Sequence, residues 1–506
     1  MFLRTNNGQR CWQTWWVFVL GFSLPLIPVN AKPEITQHQH KSDISSLPQP
    51  IQKVLARLKV PRGNISIVVR NISTGKTLIA HNSNRPRTPA STIKLLTTYA
   101  ALKSLGPDYT WPTEIWLRGK LEHGVLKGDL IIKGFGDPYL VQEKFWLLLK
   151  SLRERGLKTI DGNIIIDNSF FDLPAYDPAA FDAKPFRVYN ASPSALMYNF
   201  QATRFLFQPL LKRGFIKTKN NQQRGMGKVS VVPQPAISNF KFKNNLSLKR
   251  GKCQAAHQRP KFTKDKAGKL TITGNYAIAC QQQTIMRTVS TPEAHVFNAF
   301  RELWYEMGGT ISGNYKSGTI RNGDERFLVY HSPTLGELIR LINKWSNNVM
   351  TKQLLLTLGA TKYGIPGTFQ KGRQAVLNIL AENGVATPGI ILENGSGLSR
   401  QARITATQMA NLLERAYQDA YMPEFISSLP VIGLDGTLRK RFQKSDLQGR
   451  GHLKTGTLDF VTSIAGYLLN RKGQRLVIVI QHSGKKAGGG RGKKIQDAIL
   501  NWSFEH

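Results

Sequence analysis

The 506-residue sequence predicts an α/β (α+β) protein, an antiparallel sheet flanked by helices and interrupted by a long, mainly β insertion. Three observations carry that prediction. Strand-like hairpins stand near both ends of the chain, at 64–69 with 76–81 and at 462–480. Helical periodicity follows each of them. Three short polar motifs that work together chemically are divided between the early and late parts of the chain. If they meet in space, the domain that holds them is discontinuous and the middle of the chain is an insert.

Taken in order, residues 1–31 read as a secretory leader. Arg4 and Arg10 supply positive charge, 14–28 is apolar, and Val29-Asn30-Ala31 offers a small-residue cleavage site. Pro25, Pro28 and the short apolar core argue against an uncleaved anchor. An exported, periplasmic protein is expected. Residues 32–50 read as a polar linker. After the first hairpin, Pro89-Ala90 precedes a helix opening at Ser91, with Ile93, Leu96, Ala100 and Leu105 at helical spacing and Gly106-Pro107 as its stop. Strands are expected at 121–133, 225–232 and 270–279. Leu335, Leu338, Ile339, Ile342 and Trp345 share one face of an amphipathic helix, and a second helix covers 349–358. Leu476-Val477-Ile478-Val479-Ile480 is a buried-strand signature, followed by a helix at 493–504. The expected domains are an outer one at 32–115 plus 292–506, an insert at 116–145 plus 230–291, and a nested insert at 146–229.

The motifs are S-x-x-K, S-x-N and K-T-G. The first occurs at Ser73, Ser91, Ser238 and Ser483, the second at Ser312 and Ser346, the third once, at Lys454-Thr455-Gly456. Context selects among the copies. On a helix, residues i and i+3 share a face, so Lys94 sits beside Ser91. Ser73 and Ser312 lie in turns, Ser238 in a basic loop and Ser483 in a glycine-rich one. Ser346 stands where one helix gives way to the next.

Serine is a weak nucleophile at neutral pH and needs a base. Lys94 can serve if it is neutral, and burial beside a second cation, Lys454, would lower its pKa. Ser346 can relay a proton, and Asn348 can orient Lys94 and a substrate amide. Lys454, Thr455 and Thr457 can hold a carboxylate, while Gly456 lets a backbone or ligand approach closely. The N–H groups of Ser91 and Thr457 are candidate oxyanion donors, each worth roughly 3–4 kcal/mol. The set suits cleavage of a peptide bond next to a free carboxylate. It calls for no cofactor.

S-x-x-K, S-x-N and K-T-G together are the signature of penicillin-recognising acyl-serine enzymes. The long gap from Ser91 to Ser346 resembles one branch, the D-alanyl-D-alanine carboxypeptidase/endopeptidase family of class C low-molecular-mass penicillin-binding proteins. Further runs match: Gly134-Phe135-Gly136-Asp137-Pro138, Asp167-Asn168-Ser169-Phe170-Phe171, Asn394 to Arg400, and Leu434-Asp435-Gly436-Thr437-Leu438. The resemblance covers about 51–502. It implies a serine β-lactamase/DD-peptidase-like catalytic domain, peptidoglycan stem peptides as substrates and β-lactams as acylating inhibitors. It also implies that Asp167, Phe170 or Phe171, and Arg400 bind the free end of a diaminopimelate side chain. The plain alternative for Arg400 is a structural salt bridge. Asp459, just after the K-T-G strand, departs from relatives with a neutral residue there and puts that specificity in question.

The formal charge is +39. Between Lys184 and Arg287 stand 20 Lys or Arg and one acid, Asp265. Such a run binds polyanions through counterion release. For an exported protein those are anionic envelope polymers or a membrane surface, and no nucleic-acid partner is expected. Cys253 and Cys280, the cysteines left after leader removal, form a disulfide or remain two thiols. Neither has metal-ligand spacing. Two other functions stay open: a serine β-lactamase, which needs a carboxylate to position water, and a non-catalytic basic module that binds the envelope or senses β-lactams.

Overall fold

The computed structural model describes residues 47–211, 227–235, 242–253, 260–265, 268–485, 487–488 and 490–506. The expected leader lies outside them, as does most of the linker. Helix α1 (Gln49–Arg57) begins within the stretch expected to be linker. Pro50 sits in its first turn, where a missing N–H costs nothing.

β1 (Ile65–Asn71) and β2 (Thr77–His81) form the expected antiparallel hairpin. A short 3₁₀ turn (Ala90–Ile93) then leads into α2 (Lys94–Leu105). The regular α-helix therefore starts at Lys94 rather than Ser91. The two residues still share a face, because i and i+3 eclipse in a 3₁₀ turn. Gly106, at φ 82°, ends the helix where expected.

The insert opens with β3 (Pro112–Glu122) and β4 (Val125–Gly134). The single strand expected at 121–133 is instead the second half of this hairpin. Its two-residue turn, His123-Gly124, takes positive φ at both positions, as a type I′ turn requires. α3 (Gln142–Glu154), β5 (Thr159–Asp161) and β6 (Ile164–Asp167) follow. Next come β7 (Thr203–Leu211), β8 (Gly227–Gln234), β9 (Phe242–Lys249), β10 (Lys261–Lys264), β11 (Leu270–Ala277) and β12 (Gln283–Arg287). They form two three-stranded sheets, β12-β7-β8 and β10-β11-β9. The sheets share a core of Phe205, Phe207, Phe262, Ile272 and Tyr276, and a Cys253–Cys280 disulfide closes one end.

α4 (Pro292–Glu306), β13 (Thr310–Ile311), β14 (Tyr315–Ser317) and β15 (Glu325–His331) then return to the first insert sheet. That sheet has seven strands: a path β13-β5-β4-β3-β15, with β6 pairing both β4 and β14. Phe297, Phe300 and Trp304 of α4 pack with Ile132, Phe145 and Ile164. The expected domain edges differ from this pairing. Residue 146 falls inside α3, residue 230 falls inside β8, and 292–331 joins the insert sheet rather than the outer domain. Apolar runs show that strands exist, but not which strands they pair with.

The chain continues through α5 (Leu335–Trp345), α6 (Asn348–Tyr363), α7 (Phe369–Glu382), α8 (Ala406–Tyr417) and α9 (Met422–Ser427). It ends with β16 (Gly451–Leu458), β17 (Val461–Leu469), β18 (Arg475–Ser483) and α10 (Gly490–Glu505). A five-stranded sheet, β16-β17-β18-β1-β2, is antiparallel throughout. Its side chains alternate between two cores. Val68, Tyr467, Val477 and Val479 face α2 and α5–α9. Ile67, Ile464, Ile478 and Ile480 face α1 and α10 through Leu55, Ile495 and Ile499. Burial on both faces explains the unbroken apolar run at 476–480. Among the described residues, no helix is long and apolar enough to cross a membrane.

Candidate active site

The site forms where α2, the α5–α6 junction and β16 meet. Ser91 stands in the 3₁₀ turn, just after Ala90, whose φ of 49° is unusual for a residue with a Cβ. Two glycines hold this turn from either side. A Cβ on Gly456 would strike Ser463 Oγ and stand 2.8 Å from the Pro89 carbonyl and 2.9 Å from the Ser91 nitrogen. A Cβ on Gly397 would strike the Ala90 carbonyl. Glycine at both positions therefore sets how closely β16 and the 394–400 loop approach the nucleophile's backbone.

Lys94 is fully buried, with its Nζ 3.2 Å from Ser91 Oγ. It donates to Asn348 Oδ1 at 2.6 Å and to the Ser396 carbonyl. Burial, reinforced by the charges of Lys454 and Lys352, holds its pKa well below the ordinary lysine value.

α5 starts with a capping box, Thr334 with Glu337, and ends at Ser346, whose φ of 57° is left-handed. Asn347 then caps α6 by accepting from the Met350 N–H at 3.1 Å. Two helices thus meet at one left-handed serine, and Lys454 Nζ donates to its Oγ at 2.9 Å. Lys454 also donates to the Thr455 carbonyl at 2.8 Å, and burial pushes its pKa down to about 7.

The Thr455 hydroxyl donates to Thr437 Oγ1 at 2.8 Å, which places the Leu434 to Leu438 run against the K-T-G strand. Asp435 anchors that run by pairing with Lys344 at 2.5 Å. Ser91, Asn348 and Thr457 line one cavity of about 650 Å³. Leu398 and Phe181 separate it from a neighbouring cavity of about 840 Å³ that Arg400 lines. Arg400 stacks on Phe181 at 5.1 Å and pairs with Asp459 at 3.5 Å, both partners being exposed.

Asp167 and Phe170 are not brought to either cavity. Asp167 is fully buried at the end of β6 in the insert sheet. It accepts from the Ser169 N–H at 2.9 Å and the Ile320 N–H at 3.2 Å, and pairs with Lys133 at 3.6 Å. Phe170 packs on Phe135 and Phe171. Asp167 ends β6, whose pairing with β4 turns its side chain inward. Of the acids and aromatics lining the 840 Å³ cavity, Asp172, Tyr176, Asp177 and Phe181 come from a later stretch, while Phe369 opens α7 and Glu393 follows that helix.

Two contributors escaped the sequence reading. The Ser396 carbonyl holds Lys94, and a backbone atom leaves no mark in side-chain patterns. Lys352, one turn after Asn348 on α6, is 1% exposed and donates to the Tyr176 hydroxyl at 2.9 Å. Its place in the S-x-N helix, at i+4 from Asn348, was the available signal.

In fold the chain resembles solved structures of penicillin-binding proteins. It matches penicillin-binding protein 4 (dacB) of Haemophilus influenzae with a TM-score of 0.74 and 22% identity, over 90% of this chain and 99% of that one. The same protein in complex with a β-lactam matches with a TM-score of 0.72. The chain belongs to the D-Ala-D-Ala carboxypeptidase 3 (S13) family, whose profile matches residues 47–505. Among curated proteins it is 27% identical over 500 residues to a D-alanyl-D-alanine carboxypeptidase of Actinomadura sp. (strain R39), covering 94% of this chain and 88% of that protein. It is 24% identical over 447 residues to D-alanyl-D-alanine carboxypeptidase DacB of H. influenzae, covering 85% and 88%.

Proposed function

We propose that this protein is a serine D-Ala-D-Ala peptidase acting on peptidoglycan stem peptides through an acyl-enzyme on Ser91. The observation that carries the reading is the arrangement around Lys94. A neutral lysine has two N–H groups and one lone pair. Asn348 Oδ1 and the Ser396 carbonyl occupy the two N–H groups, so the lone pair is left for the Ser91 hydroxyl at 3.2 Å.

Ser91 Oγ attacks the carbonyl of the penultimate D-alanine as its proton passes to Lys94. The N–H groups of Ser91 and Thr457 take the oxyanion. Ser346 relays a proton to the leaving amine, and the C–N bond breaks. Lys454, Thr455 and Thr457 hold the terminal carboxylate. Water then hydrolyses the ester and frees Ser91. If the leaving amine is terminal D-alanine, the reaction is carboxypeptidase cleavage. If it is the side chain of a neighbouring strand, the same steps open a cross-link. A β-lactam amide meets Ser91 in the same way.

We further assign the outer domain to the segments flanking 112–331, with β7–β12 as the nested part, on the strength of the sheet pairing. A periplasmic location rests on the leader expected at 1–31.

The test is intact mass after incubation with benzylpenicillin. The expected result is a stable adduct of one drug mass on the wild type and none on Ser91→Ala. Drug consumed without an adduct would make the protein a β-lactamase. Neither adduct nor consumption would overturn the assignment.

A further inference from the structure

Beyond the two cavities of the active site lies a third, of about 760 Å³, between the 178–187 segment and the nested sheets. Lys184, Arg187, Lys261, Lys264 and Arg287 line it, and among the described residues no acidic side chain does. Its floor is apolar, with Phe186 and Phe262. The Thr288 N–H donates to the Phe186 carbonyl at 3.0 Å and ties the 178–187 segment to the end of β12.

Three features separate this groove from an ordinary basic surface. The first is Arg287, which is half-buried and whose hydrogen bond and ring contact are both to neutral groups. It donates to the Met286 carbonyl at 2.8 Å and stacks on Phe262 at 4.9 Å. Burial and the adjacent Arg187 push its pKa down to about 10. Among the described residues no carboxylate pairs with Arg287; a partly desolvated cation of that kind is costly, and an incoming anion relieves the cost. The second is concavity, because a cleft lined by one sign of charge focuses its field on what enters. The third is continuity. Lys184 lines both this groove and the cavity holding Ser91, and Pro178 lines both this groove and the cavity holding Arg400. Lys184, paired with Asp182 at 3.9 Å, therefore stands where the Ser91 cleft borders the groove.

We propose that this groove is a second substrate subsite, which takes the free carboxylates of the wall polymer flanking the cleaved stem peptide. The inference rests on the peptidase assignment and adds to it: the preferred substrate is a polymer bearing several carboxylates rather than a short peptide with one. Electrostatic capture of that kind acts through affinity and weakens as salt screens it.

The test uses the full mature chain with Arg187→Gln and Lys261→Gln, both exposed positions, in a Ser91→Ala background. Two probes are titrated: a soluble cross-linked muropeptide dimer and diacetyl-lysyl-D-alanyl-D-alanine, which carries one carboxylate. The dimer's Kd should rise about tenfold or more and lose most of its salt dependence, while the tripeptide's changes by less than about twofold. Arg187→Lys with Lys261→Arg, which keeps the charge, should retain dimer binding. Equal losses for both probes, or no loss for either, would overturn the proposal. So would a loss seen only against phosphatidylglycerol vesicles, which would make the groove a lipid contact. Turnover of the tripeptide by the wild type tests the peptidase assignment separately. Absence of turnover on both the tripeptide and the dimer, with dimer binding still dependent on Arg187 and Lys261, would sustain the groove and remove the enzyme.

Discussion

Lys352 Nζ lies 2.9 Å from the Tyr176 hydroxyl and 3.2 Å from the Ala191 carbonyl, so a buried lysine beside the candidate active site is held by neutral groups. Its charge works with that of Lys454 against protonation of Lys94. Lys352→Met keeps the length and removes the charge. Removing a like charge raises the pKa of Lys94, so less of it is neutral at a given pH. The acid limb of benzylpenicillin acylation should therefore move to higher pH, read from second-order acylation constants across a pH series. An unmoved limb would mean that Lys352 only packs.

The buried lysines also set how stability depends on pH. Burial holds Lys454 down to about 7 and Lys352 to about 8, against 10.5 for a free lysine. Between those values and 10.5 the unfolded chain binds more protons than the folded one, so these groups make stability rise with pH. Below about 7 the cost of a buried charge at Lys454 is fully present. Lys454→Met removes it. The variant's melting temperature relative to wild type should be most favourable near pH 7 and lose that advantage toward pH 10. Its kcat/KM for carboxylate-terminated peptides should fall at every pH.

Gly456→Ala tests the approach of β16 to the nucleophile. The new Cβ would collide with Ser463 Oγ and crowd the Pro89 carbonyl and Ser91 nitrogen. The backbone on that side belongs to the 3₁₀ turn and cannot give way without moving Ser91. Acylation should drop at least 100-fold and stability by about 1–3 kcal/mol. Acylation kinetics and denaturant titration measure the two separately. Normal acylation would show that the turn is compliant.

The disulfide lies in the nested sheets, away from Ser91. Cys253 and Cys280 close a 27-residue separation, for which loop closure predicts about 3.5 kcal/mol of stabilisation. Cys253→Ser with Cys280→Ser should lower the unfolding free energy of that region by about this amount, followed by hydrogen exchange on β9–β12. The benzylpenicillin adduct on Ser91 should form at the wild-type rate.

Much of the site was legible because its chemistry sits in short motifs. Ser91 and Lys94 lie three apart, and Ser346 directly precedes the cap Asn347, so local backbone geometry alone sets each relation. Arg400 and Asp459 were singled out separately, but their pairing at 3.5 Å required the chain to fold back across 59 positions. Asp167 and Phe170 lie outside both cavities, and the direction of Asp167 at the end of β6 depends on the pairing of that strand with β4. The expected insert edges differ from the sheet pairing for the same reason: β4 pairs with β5 and β6, and α4 returns to cover them.

The sequence by itself determined the hairpins at 64–81 and 462–480, the helix stop at Gly106, the αL junction's polar residues and the choice of Ser91 among four S-x-x-K copies. Each follows from propensity, periodicity or local spacing, which act over a few residues. Only the tertiary structure decided that the Ser396 carbonyl holds Lys94, that Lys352 stands behind it, that Asp167 is buried and that a basic groove continues the cleft. Those are contacts across 34 to 302 positions of chain, as between Ile164 and Leu130 or Lys94 and Ser396. Such contacts are selected by the burial of apolar faces and the pairing of strands, which no local pattern encodes.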